Sequence, residues 1–142
     1  MKRILVALDG SPRAATVFAA ARRLAELTGA QLVLYRAMSV VPDLPREALI
    51  EGQTRLDDLL TEHARADLER FAADVPRGLI EHIVTAFATP WDGICRAGFE
   101  HDVDLIVIGS HGYGGLDRLL GTVASKVVNH ADRNVLVVRT VL

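Results

Sequence analysis

Four glycines, Gly109, Gly112, Gly114 and Gly115, fall within seven residues, and a fifth, Gly121, stands just before Thr122. Glycine lets a backbone come close to an anion, and the first amides of a helix have no acceptor inside the helix. The elements flanking the glycines suit that chemistry. Upstream, Val103-Asp104-Leu105-Ile106-Val107-Ile108 is a β-branched apolar run that reads as a buried strand. Downstream, Val123-Ala124 and Val127-Val128 recur at helical spacing. A strand that passes through glycines into a helix start is where α/β proteins hold phosphate. The plainer alternative is that these glycines only shape a connection.

Other residue types admit chemistry of their own. Asp9 ends an apolar run and precedes Gly10-Ser11-Pro12, which suits a turn or cap as well as a ligand contact. The adjacency of Ser110 and His111 does not make a nucleophile–base pair, and no Gly-x-Ser-x-Gly elbow occurs. His111 either meets phosphate or faces solvent. His63, His82, His101 and His130 lack metal-ligand spacing. Cys95 stands alone, which excludes an internal disulfide, and on an apolar helical face it reads as a small buried hydrophobe. Trp91 and Phe99 read as packing residues, Arg118 and Lys126 as solvated charges flanking the glycine loop.

Two familiar phosphate fingerprints fail. Gly-x-Gly-x-x-Gly fits Gly112 and Gly114 but then needs glycine where Asp117 stands, and a P-loop needs Lys before Ser or Thr, whereas Gly121 leads into Thr122-Val123. A two-component receiver domain would want paired acids after the first strand, and Asp9 is alone.

The elements that must position these residues alternate. Ile4 to Leu8 forms a first strand. Ser11-Pro12 opens a helix as cap and first-position proline, with Ala14, Val17, Phe18, Ala21, Leu24 and Ala25 on its apolar face and Gly29 at its end. Leu32 to Tyr35 is a second strand. A loop from Ser39 to about Gly52 contains Pro42 and Pro45. A second helix follows from about Gln53 to Ala73, with Leu56, Leu60, Ala64, Leu68 and Phe71 inward and a charged outer face. Leu79 to Ala86 is a third strand. Thr89-Pro90 opens a third helix with Trp91, Ile94, Cys95 and Gly98 on one face. Asp104 to Ile108, a helix from Thr122 to about Ala131, and a strand at Val135 to Val138 complete the chain. This pattern predicts a single α/β domain over residues 1–142: one doubly wound, mostly parallel five-stranded sheet with helices on both faces. Ligands of such sheets bind beyond the carboxyl ends of strands where the winding reverses. Asp9-Gly10-Ser11 and the Gly109 loop are both such ends.

Composition narrows the classes. A chain of 142 residues buries about two-thirds of its unfolded surface. With 50% hydrophobic and only 5% aromatic residues, the core is built from Val, Leu, Ile and Ala, as in a helix-covered parallel sheet. A formal net charge of −2 argues against a nucleic-acid module. No apolar run approaches the roughly 20 residues of a membrane helix, and the apolar stretch after Met1-Lys2-Arg3 stops at Asp9, too short for a signal peptide. A cytoplasmic location is expected.

The chain resembles the universal stress protein family. That family's nucleotide motif is Gly-x-x-Gly, nine residues, then Gly-Ser or Gly-Thr. Gly109-Ser110-His111-Gly112 and Gly121-Thr122 match its halves, with eight residues, Tyr113 to Leu120, between them. Ile4-Leu5-Val6-Ala7-Leu8-Asp9-Gly10-Ser11 is similar to its opening strand, Thr89-Pro90-Trp91 to its third-helix start, and Lys126 to Arg139 to its closing helix and strand. Ala88 stands where that family often has glycine. The resemblance implies the strand order 3-2-1-4-5 and an adenine-nucleotide site. Ala7, Leu8 and Asp9 would border adenine and ribose. Arg36 would stand at the adenine pocket, either stacking on the base or obstructing it. Gly109, His111, Gly112, Gly121, Thr122 and Val123 would meet the phosphates. ATP is the implied cofactor, with magnesium held through phosphates and water. A homodimer through Val135, Leu136, Val137 and Val138, an apolar edge strand, is also implied. The expected function is ATP-dependent regulation in a stress response, with at most slow hydrolysis. The alternative is a nucleotide-free dimeric module that binds partner proteins; a hydrolase on the same sheet is a third reading, and it lacks a motif.

Overall fold

A computed structural model describes residues 1–39, 50–111 and 120–140. Five strands, β1 (Arg3–Ala7), β2 (Gln31–Met38), β3 (Ile80–Phe87), β4 (Leu105–Gly109) and β5 (Asn134–Val138), alternate with α1 (Ala14–Thr28), α2 (Ile50–Ala73), α3 (Pro90–Glu100) and α4 (Thr122–His130). The strands form one sheet in the order β3-β2-β1-β4-β5, with every pairing parallel. That is the order implied by the resemblance, and the sheet is wholly rather than mostly parallel.

Period-two alternation divides the core. Ile4 and Val6 of β1, Leu32 and Leu34 of β2 and Val107 of β4 pack with Ala14, Val17, Phe18, Ala21 and Ala25 of α1 and Leu68 of α2. Leu5, Val33, Tyr35, Ile106 and Ile108 pack on the other face with Ile94 and Ala97 of α3 and Ala124 and Val127 of α4. Each fully buried Leu, Ile or Val contributes about 1.5–3 kcal/mol. The sheet therefore carries the stability, and its carboxyl edge is left to position other groups. β1 is the branch point: it pairs with β2 on one side (Ala7 opposite Tyr35) and β4 on the other (Val6 opposite Val107).

Several element boundaries differ from the sequence expectation. Ser11-Pro12 does not start α1. Asp9 Oδ1 accepts the Ser11 N–H at 3.0 Å and the Ser11 hydroxyl at 2.6 Å, so Ser11 is held in a turn. Helical bonding starts at the Arg13 carbonyl, which accepts from Thr16 and Val17 at 3.1 and 3.3 Å. Gly29 ends α1 as expected, at φ 75°, with its N–H donating to the Ala25 carbonyl at 2.9 Å. β2 runs on to Met38, taking Arg36 into the sheet. α2 starts at Ile50, so Gly52 is helical and not in the loop; Pro42 and Pro45 lie outside the described residues. Phe99 does not pack inside: it is 65% exposed, with the Arg133 guanidinium 5.8 Å from its ring centre. Among the described residues no helix is long and apolar enough to cross a membrane.

Candidate functional site

A cleft of about 420 Å³ opens at the carboxyl edge of the sheet, where β1 ends between β2 and β4. Its size is that of a small-molecule site. Every strand ends at this edge, and α1, α3 and α4 begin there. Ala14, Pro90 and Val123, at or beside the first residues of α1, α3 and α4, all line the cleft. Three helix N-termini, each the positive end of a dipole, therefore face one volume. α4 opens at Gly121, in extended backbone, with no side-chain cap. Its leading amides thus have no acceptor within the helix or from a capping side chain.

Ser110 anchors that arrangement. It is buried, at 7% exposure, and its N–H donates to the Val138 carbonyl at 2.9 Å. Its hydroxyl oxygen accepts the Thr140 N–H at 3.2 Å, and its carbonyl accepts the Gly121 N–H at 3.1 Å. One residue thus ties the end of β4 to the end of β5 and to the start of α4. Its role is structural, which accounts for its position beside His111 without any nucleophilic chemistry.

Of the ten residues expected at a nucleotide site, Ala7, Leu8, Asp9, Arg36, Gly109, His111 and Val123 line the cleft. Gly121 and Thr122 are not among its lining residues but form the start of α4 that presents Val123. Gly112 lies outside the described residues, as does Arg118. Arg36 is committed: its Nη1 donates to Asp67 Oδ2 of α2 at 2.8 Å. Asp67 also meets Arg70, and His63 at 3.6 Å, so the charged outer side of α2 reaches back to the sheet at this point. Lys126 does not serve the cleft either; its Nζ sits 5.4 Å from the centre of the Trp91 ring, which also stacks on His130.

Sequence reading missed Arg13, Tyr35, Ala37, Pro90 and Thr140 as cleft residues. Three of them share a property. Arg13 Nε, Tyr35 Oη and Thr140 Oγ1 are buried and have no hydrogen-bond partner among the described residues. The fourth such atom among the described residues, Arg133 Nε, is remote from the cleft and lies 3.3 Å from the Asp132 carboxylate in an ion pair of poor hydrogen-bond angle. Buried polar atoms are nearly always satisfied, and each exception costs about 1–3 kcal/mol. Tyr35 is only 2% exposed, and burial raises its pKa above the usual phenol value, so it carries its proton at neutral pH. Its hydroxyl is held against α3, because Gly93 has no side chain: a Cβ there would collide with Oη and come within 2.9 Å of the Ala88 methyl. One sequence signal pointed to Arg13. It heads the stripe Val17, Ala21, Ala25 at four-residue spacing, a charge where the pattern wants an apolar residue.

The family-level model described as the universal stress protein family matches residues 1–139. A universal stress protein of Thermus aquaticus is 34% identical over 97% of this chain and 98% of its own length. Among solved structures, the universal stress protein UspA from Lactobacillus plantarum superposes with a TM-score of 0.79 at 27% identity, covering 97% of each chain. A universal stress protein in complex with cAMP shares the fold, with a TM-score of 0.66 at 23% identity, covering 99% of this chain and 98% of its own. A whole-chain match, together with the parallel 3-2-1-4-5 sheet and a glycine-flanked cleft at its branch point, leads to one conclusion: the chain belongs to the universal stress protein family.

Proposed function

We propose that residues 1–142 form one cytoplasmic nucleotide-binding domain, which takes ATP in the cleft and uses it to regulate association in a stress response. The observation that carries this reading is the meeting of three helix N-termini and three unsatisfied buried polar atoms in one cleft. The cleft is divided in character. Ala7, Leu8, Ala37, Pro90 and Ile94 give an apolar part suited to adenine, with the Tyr35 hydroxyl as a donor at its wall. Asp9 stands at the rim to accept from ribose hydroxyls, its Oδ1 already oriented by Ser11. Gly109, His111 and Val123, with Gly121 and Thr122 at the start of α4, are assigned the phosphate side, and Gly112, which lies outside the described residues, is assigned to it from the family motif. Two universal stress proteins of this fold were solved with adenine nucleotides, cAMP in one and dAMP in that from Archaeoglobus fulgidus, which supports the ligand class.

Asp9 is the one carboxylate among the described cleft residues, and no three His, Cys, Asp or Glu side chains gather as a metal site among them. Magnesium would therefore be carried by the nucleotide's phosphates and water. The same scarcity leaves little for activating an attacking water, so hydrolysis is at most slow. The homodimer forms through β5. It is an edge strand, and Leu136 is 37% exposed on it. Light scattering tests this; a monomer at high concentration removes it.

Isothermal titration with ATP and magnesium is the direct test, with Gly121→Asp beside wild type. Aspartate caps a helix well, so α4 still forms, while its carboxylate meets the phosphates at the same amides. Wild type gives binding heat and the variant none. A wild type silent at millimolar nucleotide favours the nucleotide-free dimeric partner-binding module instead.

A further inference from the structure

Arg13 is a charged residue without a charged partner. No carboxylate lies within ion-pair distance of its guanidinium among the described residues; Arg23, Arg77 and Arg139 also lack one, but none of those three has a buried nitrogen without a partner. Asp9 lines the same cleft yet spends Oδ1 on Ser11. Arg13 Nε is sealed from solvent and donates to nothing. A guanidinium cannot shed its proton to escape that cost, and its planar fork matches phosphate oxygens in pairs. A buried, unpaired arginine nitrogen is best explained by an anion that arrives from outside the protein.

The backbone says where that anion would sit. Arg13 and Val17 are four residues apart on one stripe of α1, and Val17 Cγ2 lies 3.1 Å from where a Cβ on Gly109 would be. Arg13 is therefore one turn beyond the Gly109 contact. Side chains on a helix lean toward its N-terminus, here toward the carboxyl edge of the sheet. Arg13, which immediately precedes α1, lines the same cleft as Val123 at the start of α4. Tyr35, 2% exposed and with an unpartnered hydroxyl lying against Gly93 of α3, lines the same cleft. The neighbouring cations are occupied, Arg36 with Asp67 at 2.8 Å and Lys126 over Trp91.

We propose that Arg13 binds the phosphate chain of the nucleotide and makes the site prefer ligands with more phosphate charge. This rests on the nucleotide reading above, and it adds a contact from α1, outside the glycine segment. Arg13 acts on binding, with no bond made or broken.

The test compares ATP, AMP and adenosine on wild type, Arg13→Gln and Arg13→Lys at one ionic strength. ATP and AMP are titrated calorimetrically, and adenosine is followed by chemical-shift perturbation. Arg13→Gln is expected to weaken ATP by about tenfold or more, the scale of a lost charged hydrogen bond, while adenosine changes by less than about twofold. Arg13→Lys keeps the charge without the fork and falls between. Thermal unfolding of both variants near the wild-type midpoint excludes a folding defect. Unchanged ATP affinity in Arg13→Gln, or equal losses for ATP and adenosine, overturns the assignment and leaves the nucleotide reading standing. A wild type that binds none of the three overturns the nucleotide reading itself.

Discussion

The two ends of the same sheet are built to opposite rules. At the amino end the polar groups are matched but for Arg133 Nε, which has the Asp132 carboxylate at 3.3 Å. The Asp104 carboxylate accepts the Lys2 and Arg3 N–H groups at 2.6 and 3.0 Å, Arg3 donates to Glu81 at 2.8 Å, Gln31 to the Gly78 carbonyl at 2.8 Å, and Arg133 to Asp102 at 3.0 Å. At the carboxyl end Arg13, Tyr35 and Thr140 each keep a buried atom unpaired. β1 begins in the first environment and ends, three buried residues later, in the second. β1 and β4 have the same symmetric burial from end to end, so the difference does not lie in them. It lies in what the connections do: at one end they close the sheet, and at the other they open a cleft and withhold hydrogen bonds from it. Local rules of satisfaction fail where a site is built.

The largest effect should come from disturbing the wall that holds Tyr35 in place. In Gly93→Ala the new methyl meets Tyr35 Oη and lies 2.9 Å from Ala88 Cβ. Neither is the end of a flexible chain. α3 must shift, at about 1–3 kcal/mol, readable by urea unfolding. Adding Tyr35→Phe removes the atom in closest conflict, so the double variant should recover part of that loss. Additive losses would mean that the hydroxyl does not bear on α3.

Tyr35→Phe alone should move stability the other way, and less. Removing a buried hydroxyl that has no acceptor removes its desolvation cost, so the ligand-free protein becomes more stable by up to about 1 kcal/mol. The same change should weaken nucleotide severalfold, because the donor at the apolar wall is lost. A variant destabilised in the absence of ligand would show that the hydroxyl is satisfied in solution, and would erase the contrast between the two ends at this residue.

How far the chain disclosed all this follows from the range over which each interaction acts. Ile4 to Leu8 and Asp104 to Ile108 were legible as strands because parallel strands buried on both faces read as unbroken apolar runs. Gly29 was legible because its backbone conformation is a local matter. The order 3-2-1-4-5 came from resemblance; periodicity gives alternation but no neighbours. The α1 start was misplaced since Ser11 looks like a cap, and only the structure shows Asp9 holding it in a turn. Arg36 could be read as stacking or blocking because its partner Asp67 lies thirty-one residues away, on another element. Thr140 was invisible: it reaches the cleft only through Ser110, which ties the end of β5 to that of β4. Cleft residues at the ends of β1 and β4 were found; at the end of β2 Arg36 was found and its neighbours Tyr35 and Ala37 were not, nor were Arg13 and Pro90 at the starts of α1 and α3.

The smallest effect separates the two ends by pH. The N–H groups of Arg3 and then Lys2 hold the Asp104 carboxyl below its ordinary 3.8, and the Arg3 side chain holds Glu81 below its ordinary 4.5. A carboxyl depressed by folding binds its proton more readily in the unfolded chain. Its contribution is therefore complete above the unfolded value, and it is lost as pH falls through the lower, folded one. The thermal midpoint should accordingly decline from about pH 5 to below pH 3. Both groups are at the surface, so the decline is modest and shrinks in salt. Asp104→Asn cannot titrate: it should lower the midpoint slightly at neutral pH and flatten the acid limb. Tyr35→Phe should leave that limb unchanged, since a phenol with a raised pKa is neutral throughout the acid range. Equal flattening by both variants would mean the two ends titrate as one unit. Flattening by Asp104→Asn alone would fix the acid sensitivity at the closed end and leave the cleft to respond to its ligand.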